Sequence, residues 1–122
     1  MRFGYTIQDW EAAREKARRI MRSTAAKEST ISYSELVANL DLIPPLEPDD
    51  YAVAQMLDEI SISDEDEGLG LLSVVVVHKG SDGMPGNGFF ELARRKGRRF
   101  SDHDEFWVTE LRRVYATWKP SS

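Results

Sequence analysis

Residues 71–79, Leu-Leu-Ser-Val-Val-Val-Val-His-Lys, form an almost continuous apolar run, which is the strongest constraint on the fold of this chain. The four valines favour extended structure because branching at Cβ restricts their side chains. An apolar run without alternation predicts a strand that is buried on both faces. Such a strand needs helices packed against it and a partner strand, for which residues 3–7 are the obvious candidate because Phe3, Tyr5 and Ile7 alternate with smaller or polar residues.

Apolar periodicity and end signals elsewhere predict about five helices. The predicted helices are residues 8–26 after a Thr6 cap, a short helix after the Ser32 cap, a helix from Pro48 to about Ser61, a short helix capped by Asn87 and closed by Gly97, and a last helix capped by Ser101. A length of 122 residues predicts one globular domain, residues 1–122. The predicted fold class is therefore α+β and mostly helical, with about five helices around one short central strand or a small two-stranded sheet.

Charge is divided unevenly along the sequence. Residues 1–27 carry seven Lys/Arg and three Asp/Glu, residues 28–78 carry twelve Asp/Glu and no Lys or Arg, and residues 79–122 carry nine Lys/Arg and six Asp/Glu. Either the acidic middle pairs with the basic ends across the folded surface, or it forms one exposed acidic face for a basic partner. The residues of this predicted acidic face are Asp49, Asp50, Asp58, Glu59, Asp64, Glu65, Asp66 and Glu67.

A second candidate site follows the predicted strand. The loop at residues 80–88 contains four glycines, but their spacing fits neither a P-loop nor the dinucleotide fingerprint. Either the loop simply shapes a tight turn, or the next helix N-terminus receives an anion. Five cations at residues 94–99 stand nearby and suit DNA phosphates. The predicted phosphate-binding residues are Lys79, Asn87, Arg94, Arg95, Arg98 and Arg99.

The sequence gives little support for catalysis. It has no cysteine, which excludes disulfides, thiolate metal ligands and cysteine nucleophiles. His78 ends the predicted strand between Ser73 and Ser81, but no nucleophile elbow surrounds either serine. With two distant histidines, and without EF-hand spacing in the acidic residues 64–67, we predict no metal and no cofactor. His78 and the glycine-rich loop remain the basis of a weaker, enzymatic alternative.

Four short segments carry a likeness to a known family: residues 32–37 (Ser-Tyr-Ser-Glu-Leu-Val), residues 52–57 (Ala-Val-Ala-Gln-Met-Leu), His78-Lys79 and Asp82-Gly83. Together they resemble the winged-helix domain of alkylguanine-DNA alkyltransferases and their alkyltransferase-like relatives. The resemblance implies a winged-helix-like fold and DNA binding. The chain departs from the family pattern in two ways. No cysteine is present to accept an alkyl group. Acidic residues stand where the family has an arginine that enters the DNA, and their carboxylates would repel phosphates.

These patterns lead to an ordered set of functional hypotheses. The first is a small non-catalytic interaction or regulatory module whose acidic helical face binds a basic protein partner. The alternative is a DNA-binding, winged-helix-like domain that contacts phosphates through residues 94–99. No apolar run reaches the roughly 18 residues of a membrane span, and the N-terminus lacks an apolar signal region. We therefore expect a cytoplasmic protein of a prokaryote or of one of its viruses.

Overall fold

The computed structural model describes residues 1–79 and 83–120. Within them the chain is mostly helical, with five α-helices and a small two-stranded parallel sheet, which confirms the predicted fold class. The elements are α1 (Ile7–Ala26), β1 (Ile31–Ser32), α2 (Tyr33–Ala38), α3 (Tyr51–Asp66), β2 (Val76–Val77), α4 (Asn87–Arg95) and α5 (His103–Trp118).

The apolar run at residues 71–77 lies at the centre of the molecule, as predicted, and all seven residues are buried. Helices α1, α3 and α5 contact it. The prediction of a continuous strand is wrong, however, because Leu72–Val75 forms a 3-10 helix and only Val76–Val77 is extended. Side chains satisfy the backbone here, since the N–H of Leu71 donates to Glu110 (2.8 Å) and the N–H of Ser73 donates to Ser61 (2.9 Å). These backbone groups therefore need no strand partner.

The predicted partner strand, residues 3–7, is also wrong. Strand β2 pairs in parallel with β1, with Ile31 opposite Val76 and Ser32 opposite Val77. Residues 2–5 instead form a tight turn in which Phe3 and Gly4 have left-handed φ angles of 52° and 87°. A left-handed residue cannot continue a strand.

Helix ends follow the predictions in part. The hydroxyls of Thr6 and Ser32 accept the N–H groups of residues 9 and 35, as predicted for the caps of α1 and α2. Two predicted caps are wrong, because Gly86 rather than Asn87 precedes α4, and Asp102 rather than Ser101 caps α5.

Helix α3 is displaced along the sequence from its prediction, since it begins at Tyr51 and continues to Asp66. The acidic residues 64–66, which lie beyond the predicted end of this helix, are therefore helical. Asp64 turns inward, is 1% exposed and pairs with Arg22 on α1 at 2.9 Å. A buried carboxylate needs a charged partner, and the helical conformation of residue 64 brings Asp64 to Arg22.

Candidate functional site

The carboxylates of α3 that face α1 form ion pairs with basic residues from the start of the chain. Glu59 binds Arg2 at 2.7 Å and Arg14 at 2.6 Å, and Asp64 binds Arg22 at 2.9 Å. Burial acts to raise the pKa of Glu59, but hydrogen bonds from Arg2, Arg14 and a tryptophan outweigh burial, so the pKa lies below its ordinary value. These residues hold α1 against α3.

The carboxylates of α3 that face α4 and α5 neutralise much of the basic cluster at residues 94–99. The shortest ion pairs are Asp58–Arg95 (3.1 Å), Glu65–Arg98 (2.6 Å) and Asp66–Lys96 (2.8 Å). The acidic middle of the chain thus pairs with both basic ends, which is the first of the two arrangements compatible with its charge pattern. Two residues of the predicted phosphate-binding set, Arg95 and Arg98, are thus bound by carboxylates of the predicted acidic face.

A few charged residues from the predicted sites stay outside these pairs. Among the described residues, Asp49, Asp50 and Glu67 form no ion pair, although Asp50 accepts a hydrogen bond from the N–H of residue 47 at 2.9 Å. Glu67 follows the C-terminal end of α3, whereas Asp49 and Asp50 stand at its N-terminal end. Lys79 and Arg99 likewise lack a carboxylate partner within the part of the chain that the structure describes.

Arg94 also binds no described carboxylate. Its guanidinium lies over the ring of Phe100, 4.3 Å from the ring centroid, and 3.4 Å from Nε2 of His103. Of the six predicted phosphate-binding residues, Arg95 and Arg98 are engaged by carboxylates, and Asn87 is an exposed residue of the first turn of α4.

A cleft of about 250 Å³ opens between the first half of α3, the end of β2 and the start of α4, and we call it the α3–α4 cleft. It combines an apolar floor with two rings and three carboxylates. The apolar floor consists of Val53, Leu57 and Phe89, the rings belong to Tyr33 and His78, and the carboxylates belong to Asp49, Asp50 and Asp58. It therefore joins part of the predicted acidic face to the predicted polar site at the strand end.

Tyr33 and His78 meet because β1 and β2 are parallel, which places the residues that follow each strand side by side. Their ring centroids lie 4.7 Å apart. The hydroxyl of Tyr33 accepts the N–H of Gly86 at 3.0 Å. Burial raises the pKa of Tyr33, the Gly86 hydrogen bond lowers it and the charge of Asp58 raises it, with a net rise. The neutral hydroxyl thus fixes the ring against the loop.

Gly86 lets the loop approach these two rings closely. A Cβ at this position would lie 3.0 Å from Nε2 of His78 and 3.4 Å from the hydroxyl oxygen of Tyr33. The N–H of His78 donates to the carbonyl of Met84 at 2.9 Å, which ties the end of β2 to the same loop. The described part of the glycine-rich loop therefore forms one wall of the cleft, while Gly80, Ser81 and Asp82 lie outside the described residues.

Asp58 is the innermost of the three carboxylates, with a side chain that is 22% exposed. Burial raises its pKa, the hydrogen bond and charge of Arg95 act in the opposite direction, and the acidic neighbours Glu59 and Glu91 add to the rise. The net pKa is raised. This carboxylate is thus partly desolvated, with one cation, Arg95, and two acidic neighbours, Glu59 and Glu91, acting on it.

The described residues of the cleft do not form a nucleophile–base pair. The hydroxyl of Ser73 is hydrogen-bonded to the hydroxyl of Ser61 at 2.7 Å. Among residues 1–79 and 83–120, no serine, threonine or carboxylate hydrogen-bonds to the ring of His78. Nor does this part of the chain bring together three or more residues that could ligate a metal. No helix in it is both long and apolar enough to cross a bilayer.

A larger groove, of about 470 Å³, lies between α1 and the segment at residues 40–43. Its lining includes Lys16 and Asp41, which pair with each other, and it contains no aromatic residue. The charges of this groove are thus partly satisfied within the chain. The α3–α4 cleft is the stronger candidate because aromatic rings and unpaired carboxylates converge there.

The sequence predicts functional roles for the carboxylates and for His78, but at two separate sites. Neither Tyr33 nor Phe89 is among the residues that the sequence predicts for a site, although both line the cleft. The one available signal was the position of Tyr33 directly after the Ser32 cap. That signal does not predict the contact of Tyr33 with His78, because the predicted partner strand of β2 is residues 3–7 rather than β1.

Comparison with protein-family models, with curated proteins and with solved structures finds no significant match to this chain. The resemblance to the alkyltransferase winged-helix domain therefore stays a prediction.

Proposed function

We propose that the chain is a non-catalytic interaction module that binds a basic segment of a protein partner in the α3–α4 cleft. The observation that carries this proposal is the position of Asp49 and Asp50. Neither forms an ion pair with a described residue, and both line a cleft with an apolar floor. Charge complementarity then favours a cationic occupant. A cytoplasmic location remains a prediction.

The cleft suits the mixed chemistry of long basic side chains. Lysine and arginine carry an apolar stem below a charged head group. Val53, Leu57 and Phe89 provide apolar contact for the stems, and the carboxylates at the cleft provide partners for the charges. The net charge of −5 also favours encounter with a basic partner.

The DNA-binding alternative has weaker support. Arg95 and Arg98, two of its predicted phosphate contacts, bind carboxylates of this chain, and so does Lys96 from the same cluster. Lys79, Arg94 and Arg99 would remain for phosphates. The enzymatic alternative rests on His78 and the glycine-rich loop, and the described serine near this site, Ser73, is hydrogen-bonded to Ser61.

A fluorescence-anisotropy titration tests the proposal. The probes are a labelled peptide in which arginine and lysine alternate with leucine and glycine, and a labelled DNA duplex, at about 50 mM and about 200 mM salt. We expect the peptide to bind the wild-type chain, more weakly at the higher salt concentration because ions screen exposed charges. Asp49→Asn should weaken peptide binding several-fold.

The matched control is Glu67→Gln, which changes net charge equally at the far end of α3. It should keep the wild-type affinity for the peptide. An equal loss in both variants would show a general charge effect and overturn the proposal, as would no peptide binding at the lower salt concentration. Salt-dependent duplex binding that disappears when Arg94 and Arg99 are reversed in charge would favour the DNA alternative instead.

A further inference from the structure

We infer that the group recognised in the α3–α4 cleft is an arginine side chain of the partner, which takes the place of Arg95 on Asp58. The inference rests on the proposed function and adds the chemical identity of the bound group. It also assigns Arg95 the role of an internal competitor for the site.

Asp58 already binds a guanidinium in the free chain. The Nη2 atom of Arg95 lies 3.1 Å from Oδ2 of Asp58. The contact is unequal, because the side chain of Arg95 is 63% exposed whereas that of Asp58 is 22% exposed. An exposed arginine is held weakly, since solvent and ions screen the pair. A second guanidinium that also contacts the cleft walls can therefore displace it.

The cleft walls suit a planar cation. Tyr33 offers an aromatic ring whose hydroxyl is fixed by the N–H of Gly86, and the ring of His78 packs against it. Guanidinium groups stack on aromatic faces and bind carboxylates through two parallel hydrogen bonds. An ammonium group is a compact and strongly hydrated charge, so it loses more on entering an apolar cleft.

The size of the cleft also favours a single side chain. Its volume of about 250 Å³ lies below the range of roughly 300–1,000 Å³ that is typical of small-molecule and cofactor sites. Asp49 and Asp50, at the mouth, remain free to meet further cations of the same segment.

The test compares three labelled peptides that differ only at one central position, which holds arginine, lysine or citrulline, the neutral isostere of arginine. Anisotropy titrations use the wild-type chain and Arg95→Ala. We expect the arginine peptide to bind about tenfold more tightly than the lysine peptide, as an added contact of about 1.4 kcal/mol gives. The citrulline peptide should bind most weakly. Arg95→Ala should raise the affinity for the arginine peptide several-fold by freeing Asp58.

Arg94→Ala is the matched control, because Arg94 stacks on Phe100 and does not contact Asp58. It should leave peptide affinity unchanged. Equal binding of the arginine and lysine peptides would overturn the inference while leaving the proposed function intact, and so would an unchanged affinity in Arg95→Ala. Failure of all three peptides to bind would overturn the proposed function itself. The comparison of peptides needs only the wild-type chain, so it holds even if a variant folds poorly.

Discussion

The guanidinium of Arg98 binds both carboxylate oxygens of Glu110, with Nη1–Oε1 at 2.7 Å and Nη2–Oε2 at 3.2 Å. Glu110 is 1% exposed and also accepts the N–H of Leu71. Burial acts to lower the pKa of Arg98, but its hydrogen bonds and charge pairing with Glu110, and then with Glu65, produce a net rise. Arg98 therefore joins α5 to α3, while Glu110 also holds Leu71 at the start of the apolar run.

Removal of this buried carboxylate should be costly. Glu110→Ala leaves Arg98 half-paired and the N–H of Leu71 without its acceptor, so we expect a loss of about 3–5 kcal/mol in the free energy of unfolding. Chemical denaturation measures this loss. Glu105→Ala, at an exposed position of the same helix, should cost no more than about 1 kcal/mol. Similar losses in the two variants would contradict the structural role of Glu110.

The buried pair of Ser61 and Ser73 gives a second stability prediction. Ser61→Ala removes the acceptor for the N–H and the partner for the hydroxyl of Ser73, and we expect it to cost about 1–3 kcal/mol. The control is Ser63→Ala, because the hydroxyl of Ser63 makes no hydrogen bond with a described residue. Thermal and urea unfolding of both variants would measure the difference. If Ser63→Ala is as destabilising as Ser61→Ala, the hydrogen bonds do not carry the effect.

The close approach of Gly86 to Tyr33 and His78 predicts a local effect. In Gly86→Ala the new Cβ would lie 3.0 Å from Nε2 of His78, so the exposed imidazole must move. We expect changed NMR shifts of the His78 ring and weaker peptide binding, with little loss of stability. Gly88→Ala should leave these shifts in place, because no atom lies within 4 Å of a Cβ built there. Unchanged His78 shifts in Gly86→Ala would contradict the described wall of the cleft.

The ion pairs of Glu59 predict a dependence of stability on pH. The pKa of Glu59 is lowered in the folded chain, so its stabilising contribution is complete above the ordinary glutamate value of about 4.3. That contribution is lost as the pH falls further, through the lowered folded pKa. The free energy of unfolding should thus fall more steeply below about pH 4.3 in the wild-type chain than in Glu59→Gln. Parallel curves for the two proteins would show that the folded chain does not favour the Glu59 carboxylate.

Local sequence signals predicted those parts of the fold that depend on neighbours along the chain. Thr6 and Ser32 cap their helices as expected, because a cap involves only a hydroxyl and an N–H three residues later. The burial of residues 71–77 followed from their apolar character. The 3-10 helix was not predictable from local sequence, because its backbone N–H groups bind the side chains of Glu110 and Ser61, which are separated from it in sequence.

The candidate site shows the same division. Charge patterning identified Asp49, Asp50 and Asp58 as notable, and position after an apolar run identified His78. The charge pattern does not predict which carboxylates form ion pairs, because an ion pair depends on which helices pack together. The pairing of β1 with β2 brings Tyr33 to His78, and the packing of α4 on α3 brings Arg95 to Asp58.

The sequence by itself therefore determined a mostly helical chain around one apolar segment, with an acidic middle and basic ends, because periodicity and composition are local properties. Only the tertiary structure decided that Glu59, Asp64 and Glu65 are engaged by basic residues, while Asp49 and Asp50 form no ion pair with a described residue. The physical reason is distance, since charges far apart in the chain interact strongly only when packing brings them within a few ångströms.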